Sequence, residues 1–189
     1  MLSGVVIAGG KSSRMGKDKA LLPFRECSSL AKYQYRKLED IFNRVYLSAK
    51  SNKFDFRANI IYDKYQDSNP LNAIISALET IKTDIFLISV DMPLVTKSTI
   101  KRLIDTYNCN ADYEVYIAKS LNGLEPTVAI YRYTLLDRAK KMYKEGNFRL
   151  MSLVKKSNYL EVEFNSLDEF INVNTPKEYK LISKYNNFN

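Results

Sequence analysis

A chain of 189 residues with 46% hydrophobic content is long enough to fold as one domain around a substantial core. It carries 29 Lys and Arg against 21 Asp and Glu, a formal net charge of +8, and no histidine at all. The missing histidine excludes Ser-His and Cys-His nucleophile pairs and every His-based metal site, and the charge suits an anionic ligand. Cys27 and Cys109 have no metal or redox spacing and read as reduced thiols of a cytoplasmic protein. No apolar stretch approaches the roughly 18 residues that would span a bilayer. Strand 1 starts almost at once, with no basic n-region or cleavage site, so the chain reads as unprocessed.

Leu2 to Ala8 is an apolar strand that empties into a loop with three glycines and four cations: Lys11, Arg14, Lys17 and Lys19. Glycine lets backbone N–H groups approach an anion and the cations neutralise it, which is the layout of a phosphate cradle. The two common nucleotide fingerprints do not fit. Five residues separate Gly10 from Gly16 and Asp18 follows Lys17, which rules out a Walker A loop. Arg14 stands where the dinucleotide fingerprint needs glycine.

A helix is expected to start near Ser28 or Ser29 and to bury Leu30, Leu38, Ile41 and Phe42. Arg44 to Ala49 and Asn59 to Tyr62 read as the second and third strands. The stripe Leu71, Ile74, Ile75, Leu78 and Ile81 predicts a helix, capped by Asn69 with Pro70 in its first turn. Asp84 to Val90 is nearly all apolar, as expected of a central parallel strand, and ends at Asp91-Met92-Pro93. Ile100, Leu103, Ile104 and Tyr107 mark the helix that follows. Tyr113 to Lys119 and Thr127 to Tyr131 read as strands joined through Asn122-Gly123. Helical segments follow around Leu135 to Tyr143 and Arg149 to Lys155. Leu160, Val162 and Phe164 alternate with Glu161 and Glu163 in a half-exposed strand. Thr175-Pro-Lys-Glu178 opens a last helix with a capping box. This alternation predicts an α/β chain with helices packed on a mainly parallel sheet.

Strand 1 and the Asp84 to Val90 strand would send their following loops to the same carboxyl edge, where ligands of open α/β sheets bind. The phosphate cradle and Asp91 then face one crevice. Asp91 reads either as an anchor for Mg²⁺ beside a triphosphate or as the start of the next helix. Asp63 and Asp67 read either as acceptors for a base or ribose or as solvated loop residues. Asn172 to Thr175 presents two amides and a hydroxyl before a helix N-terminus, for a phosphate or polar ring or for turn and cap chemistry. The cluster Arg132, Arg138, Lys140, Lys141, Lys144 and Arg149 reads mostly as a solvated helix face, with Arg149 the member best placed to differ.

The stretch Gly4-Val-Val-Ile-Ala-Gly-Gly-Lys-Ser-Ser-Arg-Met-Gly-Lys-Asp-Lys-Ala-Leu-Leu22 resembles the molybdenum cofactor guanylyltransferases of the MobA family. Asp91-Met-Pro93, Glu125-Pro-Thr-Val-Ala-Ile130 and Phe170-Ile-Asn-Val-Asn-Thr-Pro-Lys-Glu178 recur there in the same order, so the resemblance spans nearly the whole chain. It implies a Rossmann-like three-layer α/β/α nucleotidyltransferase fold. It also implies transfer of GMP from GTP to the phosphate of molybdenum-bound molybdopterin, with Mg²⁺ and release of pyrophosphate. Carried over by position, Ile7, Ala8, Gly9 and Lys19 would contact GTP, with Ser48 and Asp63 toward the guanosine. Asp91 would bind Mg²⁺ and the nucleotide phosphates. Asn172 and Asn174, with Arg14 and Arg149, would lie on the molybdopterin side, and Lys19, Arg14 and Asp91 would carry catalysis. The N-terminal half would hold nucleotide and the C-terminal half molybdopterin.

Two positions depart from the family pattern. Asn69-Pro-Leu-Asn-Ala73 stands for Gly-Pro-Leu-x-Gly, and Ser48 stands for a common Asn. The first keeps open a cytidylyltransferase acting on the same pterin, or another nucleotidyltransferase of this fold. A non-catalytic nucleotide- or RNA-binding module is the reading from another class. The expected protein is a cytoplasmic monomer that binds neither nucleic acid nor membrane, with molybdoenzymes or their chaperones as further partners.

Overall fold

The computed structural model describes residues 2–9, 16–66, 69–166 and 168–184. Lys11 and Arg14 of the glycine-rich loop, and Asp67, lie outside the described residues. In chain order the strands are β1 (Ser3–Ile7), β2 (Val45–Ala49), β3 (Ile60–Tyr62), β4 (Ile85–Ser89), β5 (Val115–Ser120), β6 (Gly123–Tyr131) and β7 (Tyr159–Glu163). The helices are α1 (Leu30–Glu39), α2 (Pro70–Ile81), α3 (Lys97–Cys109), α4 (Leu136–Lys144), α5 (Leu150–Lys155) and α6 (Pro176–Ser183).

These strands form one sheet in the order β3-β2-β1-β4-β6-β5-β7. β1 lies between β2 and β4, parallel to both, with Val6 beside Leu47 and Ile88. Both β1 and β4 are buried along their whole length, which explains why they read as unbroken apolar runs. The sheet is parallel from β3 to β4, and β7 also runs parallel to β5. β6 is antiparallel to both of its neighbours. Gly123 at φ +119° begins β6 as it leaves the turn from β5, a conformation that favours glycine.

Two apolar layers cover the sheet. Leu30 and Leu38 of α1, Ile100 and Leu103 of α3, and Ile182 of α6 pack on one face. Leu71, Ile74, Ile75 and Leu78 of α2, Ala139 of α4 and Leu153 of α5 pack on the other. α1 sits close on β1: a Cβ at Gly4 would lie 2.9 Å from the Phe42 ring and 3.0 Å from Leu38. The α2 cap is as expected, with the Asn69 side chain accepting from Asn72 N and Pro70 in the first turn. So is the Thr175–Glu178 capping box of α6.

One boundary differs. The second strand of the hairpin was expected at Thr127 to Tyr131, yet β6 begins at Gly123. Pro126 argues against a strand because it lacks an N–H to donate. It is accommodated because Ile117 pairs with Ala129 while the next residue, Ala118, pairs with Glu125. Residues 126–128 therefore bulge out of the ladder with β5, a position that tolerates proline.

Candidate active site

The carboxyl edge of the sheet collects most of the described candidate residues. The ladder continues past the strand ends: Val90 N donates to Ile7 O (3.1 Å) and Ala8 N to Ser48 O (2.9 Å). Lys19 is delivered to this edge by a single 3₁₀ turn, Lys19–Leu21, whose Asp18 cap accepts from Ala20 N. Its ammonium lies 2.6 Å from Asp91 Oδ2 and donates to Asn174 Oδ1 at 3.0 Å. These three residues are 72 and 155 positions apart in the chain. Val173 N also donates to Asp91 O (2.8 Å), fixing the C-terminal segment against the β4 turn.

The turn that carries Asp91 is held from beneath. Gln34, fully buried on α1, donates from Nε2 to Ser89 O (3.0 Å) and Met92 O (2.9 Å), straddling Asp91. Lys37, one turn along α1, donates to Pro93 O and Val95 O, both at 2.7 Å. Burial holds the Lys37 amine well below the ordinary lysine range, with Arg25 adding to the effect. Sequence reasoning missed both residues. A polar side chain on the otherwise apolar face Leu30, Ala31, Tyr35 and Leu38 was the only signal for Gln34.

Asn174 is set by the α6 cap. Glu178 Oε2 accepts from Asn174 N (2.7 Å) and Thr175 N (2.8 Å), and the bond from Asn174 N holds its carboxyl below the usual range. Asn172 and Asn174 flank the buried Val173, and Asn172 is exposed.

Asp63 forms the other end of the edge. Its N–H donates to Ala49 O (3.2 Å), and Ser48 Oγ donates to Asp63 Oδ1 (2.9 Å). Gly9 lies alongside: a Cβ there would be 3.2 Å from Asp63 Oδ2. Burial raises the Asp63 pKa, against the opposing pull of the Ser48 hydrogen bond, Lys50 and Lys53. Lys53 donates to Ala8 O (3.3 Å) and pairs with Asp18, joining this region to the Lys19 turn.

The altered Asn69–Ala73 stretch is occupied by structure of its own. Asn69 caps α2, and Ala73 is buried in the core. Asn72, also buried, donates to Tyr65 O (2.7 Å) and accepts from Tyr65 N (3.3 Å), anchoring the loop after Asp63. Arg149 stands apart. It is exposed at the start of α5, in the layer opposite α6, and no contact among the described residues joins it to Lys19, Asp91 or Asn174. In the basic cluster, Arg138 pairs with Glu114 and Lys140 with Glu79, as a structural surface does.

A family model described as a MobA-like NTP transferase domain matches residues 4–161. A molybdenum cofactor guanylyltransferase of Helicobacter pylori (strain P12) is 35% identical over 184 residues, 94% of this chain and 89% of that protein. Molybdopterin-guanine dinucleotide biosynthesis protein A from Archaeoglobus fulgidus superposes with a TM-score of 0.80 at 18% identity, covering 97% of each chain. The Rv0371c protein of Mycobacterium tuberculosis, solved in complex with manganese, superposes with a TM-score of 0.72 at 19% identity, covering 97% and 98%.

Proposed function

The chain belongs to the MobA-like NTP transferase family, and we propose that it transfers GMP from GTP to the phosphate of molybdenum-bound molybdopterin, releasing pyrophosphate. The observation that carries this reading is Lys19, held at once by Asp91 from the nucleotide side and by Asn174 from the opposite wall. One cation placed between two walls suits a reaction that joins two anionic substrates. In this reading one domain works as a cytoplasmic monomer, with nucleotide held by its N-terminal half and molybdopterin by its C-terminal half. Among the described residues, no helix is long and apolar enough to cross a membrane.

Each residue has a task. The backbone of Ile7, Ala8 and Gly9 lies along the nucleotide, with Asp63 and its partner Ser48 accepting hydrogen bonds from the guanosine. Asp91 is a suitable anchor for Mg²⁺: Lys19 takes Oδ2, and no contact among the described residues occupies Oδ1. No three His, Cys, Asp or Glu side chains gather as a metal site among the described residues. A single carboxylate is also how Mg²⁺ is commonly held, with phosphate oxygens and water completing its shell. When bound, the ion supplies charge neutralisation on the triphosphate.

The attacking phosphate of molybdopterin is already anionic near neutral pH, so the absence of histidine costs nothing: no general base is required. Lys19 swings from its carboxylate to the phosphate oxygens and stabilises the charge that accumulates as the attacking oxygen approaches the α-phosphorus in line. Arg14 of the glycine-rich loop adds a second cation on the phosphates. Asn172 and Asn174 donate amide N–H groups to the molybdopterin phosphate.

The test is pyrophosphate release from each of the four nucleoside triphosphates, with and without molybdopterin, before and after removal of divalent metal with EDTA. GTP with molybdopterin should be the productive pair, and activity should return on adding Mg²⁺. Preference for CTP would replace guanylyl by cytidylyl transfer. No release with any triphosphate, together with competition by RNA for nucleotide binding, would leave a non-catalytic binding module.

A further inference from the structure

Glu125 lies on β6 at the same edge, and Ser120 is its one side-chain hydrogen-bond partner among the described residues. β6 runs antiparallel to β4, with Val128 beside Ile88, so its first residues stand at the carboxyl end of β4. Thr127 Oγ1 contacts Met92 Sδ at 3.3 Å, tying this end of β6 to the residue after Asp91. The three-residue bulge at 126–128 lies between Glu125 and the regular part of β6. Bulges beside active sites re-aim side chains. This one is pinned by the buried Tyr131, whose hydroxyl donates to Pro126 O at 2.6 Å.

The Glu125 carboxylate is half-buried, yet no cation among the described residues is paired with it. Ser120 Oγ donates to Oε1 (2.7 Å), and no partner among the described residues takes Oε2. Burial raises its pKa, and only the Ser120 hydroxyl opposes that. In a chain with 29 Lys and Arg, a carboxylate left with one donor beside the reacting edge points to a ligand that brings its own N–H groups.

We infer that Glu125 is a specificity residue for the second substrate, its carboxylate accepting the ring N–H and 2-amino N–H of a 2-amino-4-oxopyrimidine ring. Two parallel N–H groups match two carboxylate oxygens, the fork geometry that gives bidentate pairs their selectivity. Guanine and the pterin both carry this ring edge. The sheet order separates their sites: Asp63 follows β3 and Glu125 lies on β6, four strand spacings or roughly 19 Å apart. Asp91 lies between them, after β4. The product would then carry one such ring at each end, each read by its own carboxylate. This inference rests on the proposed use of molybdopterin.

The experiment compares wild type with Glu125→Gln, using 6-hydroxymethylpterin and 6-hydroxymethyllumazine as fluorescent probes. The lumazine carries oxygen in place of the 2-amino group. Wild type should bind the pterin about 10- to 100-fold more tightly, the range expected for hydrogen bonds to a charged acceptor. In Glu125→Gln that ratio should fall to within about twofold, with GTP affinity and melting temperature unchanged. GTP and ITP, which differ by the same amino group, form the control arm. If Glu125→Gln instead removes the GTP preference, the carboxylate reads guanine and the inference is overturned. Equal binding of both probes by wild type, or an intact preference in Glu125→Gln, overturns it as well. Pyrophosphate release by wild type with GTP and molybdopterin measures the underlying reaction separately, so either idea can fail without the other.

Discussion

Gln34→Met asks whether the Asp91 turn is held by α1. The substitution keeps the length of the side chain and removes the two hydrogen bonds to Ser89 O and Met92 O. Each is worth about 1 kcal/mol net. Ser89 O keeps a second donor, Met92 N at 3.2 Å. Gln34 Oε1 is itself buried without a partner among the described residues, so replacing the amide also removes an unpaired acceptor worth about 1–3 kcal/mol. These opposing effects leave a net change within about 1.5 kcal/mol, or about 6 °C in melting temperature for a chain of this size. Activity should respond far more. Loss of the clamp lets the Asp91 carboxylate drift, and about 1 Å of misplacement costs on the order of 100-fold. Pyrophosphate release should therefore show kcat reduced about 10- to 100-fold, with KM for GTP changed less. A variant with kcat within twofold of wild type would show that β1, β4 and Val173 hold the turn without Gln34.

Lys19→Ala should lower kcat by about two to three orders of magnitude, the range for losing a preorganised charge-stabilising donor; a loss below tenfold would make Lys19 peripheral. Asp63→Asn should melt higher than wild type at pH 7 while binding GTP more weakly. Burial raises the Asp63 pKa, so its stabilising contribution is present below the unfolded value and is lost as pH rises through the folded one. The difference in melting temperature should therefore shrink below about pH 4, where the unfolded aspartate also protonates. A difference that does not vary with pH would assign the effect to packing instead.

The fold was legible wherever periodicity was strong. The α2 stripe with its Asn69-Pro70 start and the β1 and β4 apolar runs read directly, because burial on one or both faces dictates residue type. The start of β6 was not legible, because Pro126 cannot donate to a ladder and only the pairing with β5 reveals the bulge that absorbs it. The candidate site was legible as separate motifs, each marked by glycines, carboxylates or amides near a strand end. That the loop and Asp91 share one crevice followed from strand order, and the resemblance singled out Lys19; its contacts to Asp91 and Asn174 did not, because local spacing does not specify which of several lysines reaches a carboxylate 72 positions away. Gln34 and Lys37 were hidden for another reason. They act on backbone carbonyls of a distant turn, which leave no mark in a sequence.

Asn174 gives the sharpest test of the two-wall arrangement, because it can be charged without being removed. Its side chain accepts from Lys19 at 3.0 Å while its own N–H is held by Glu178, so the neutral amide shares the lysine with Asp91 without neutralising it. Asn174→Asp would set a second carboxylate beside that ammonium in almost the same volume. One ammonium would then face two carboxylates, and the added negative charge would repel the incoming phosphate. The fold should be unchanged or slightly more stable, since a new ion pair forms. Turnover should fall about 100-fold, a cost comparable to losing an electrostatic donor outright. Asn174→Ala, which removes the amide but leaves the Lys19–Asp91 pair, should lose only about tenfold. The order of the two variants is the informative quantity. If the alanine is the more damaged, the amide acts by its own contact with substrate, and the argument that the wall opposite Asp91 must stay neutral is wrong.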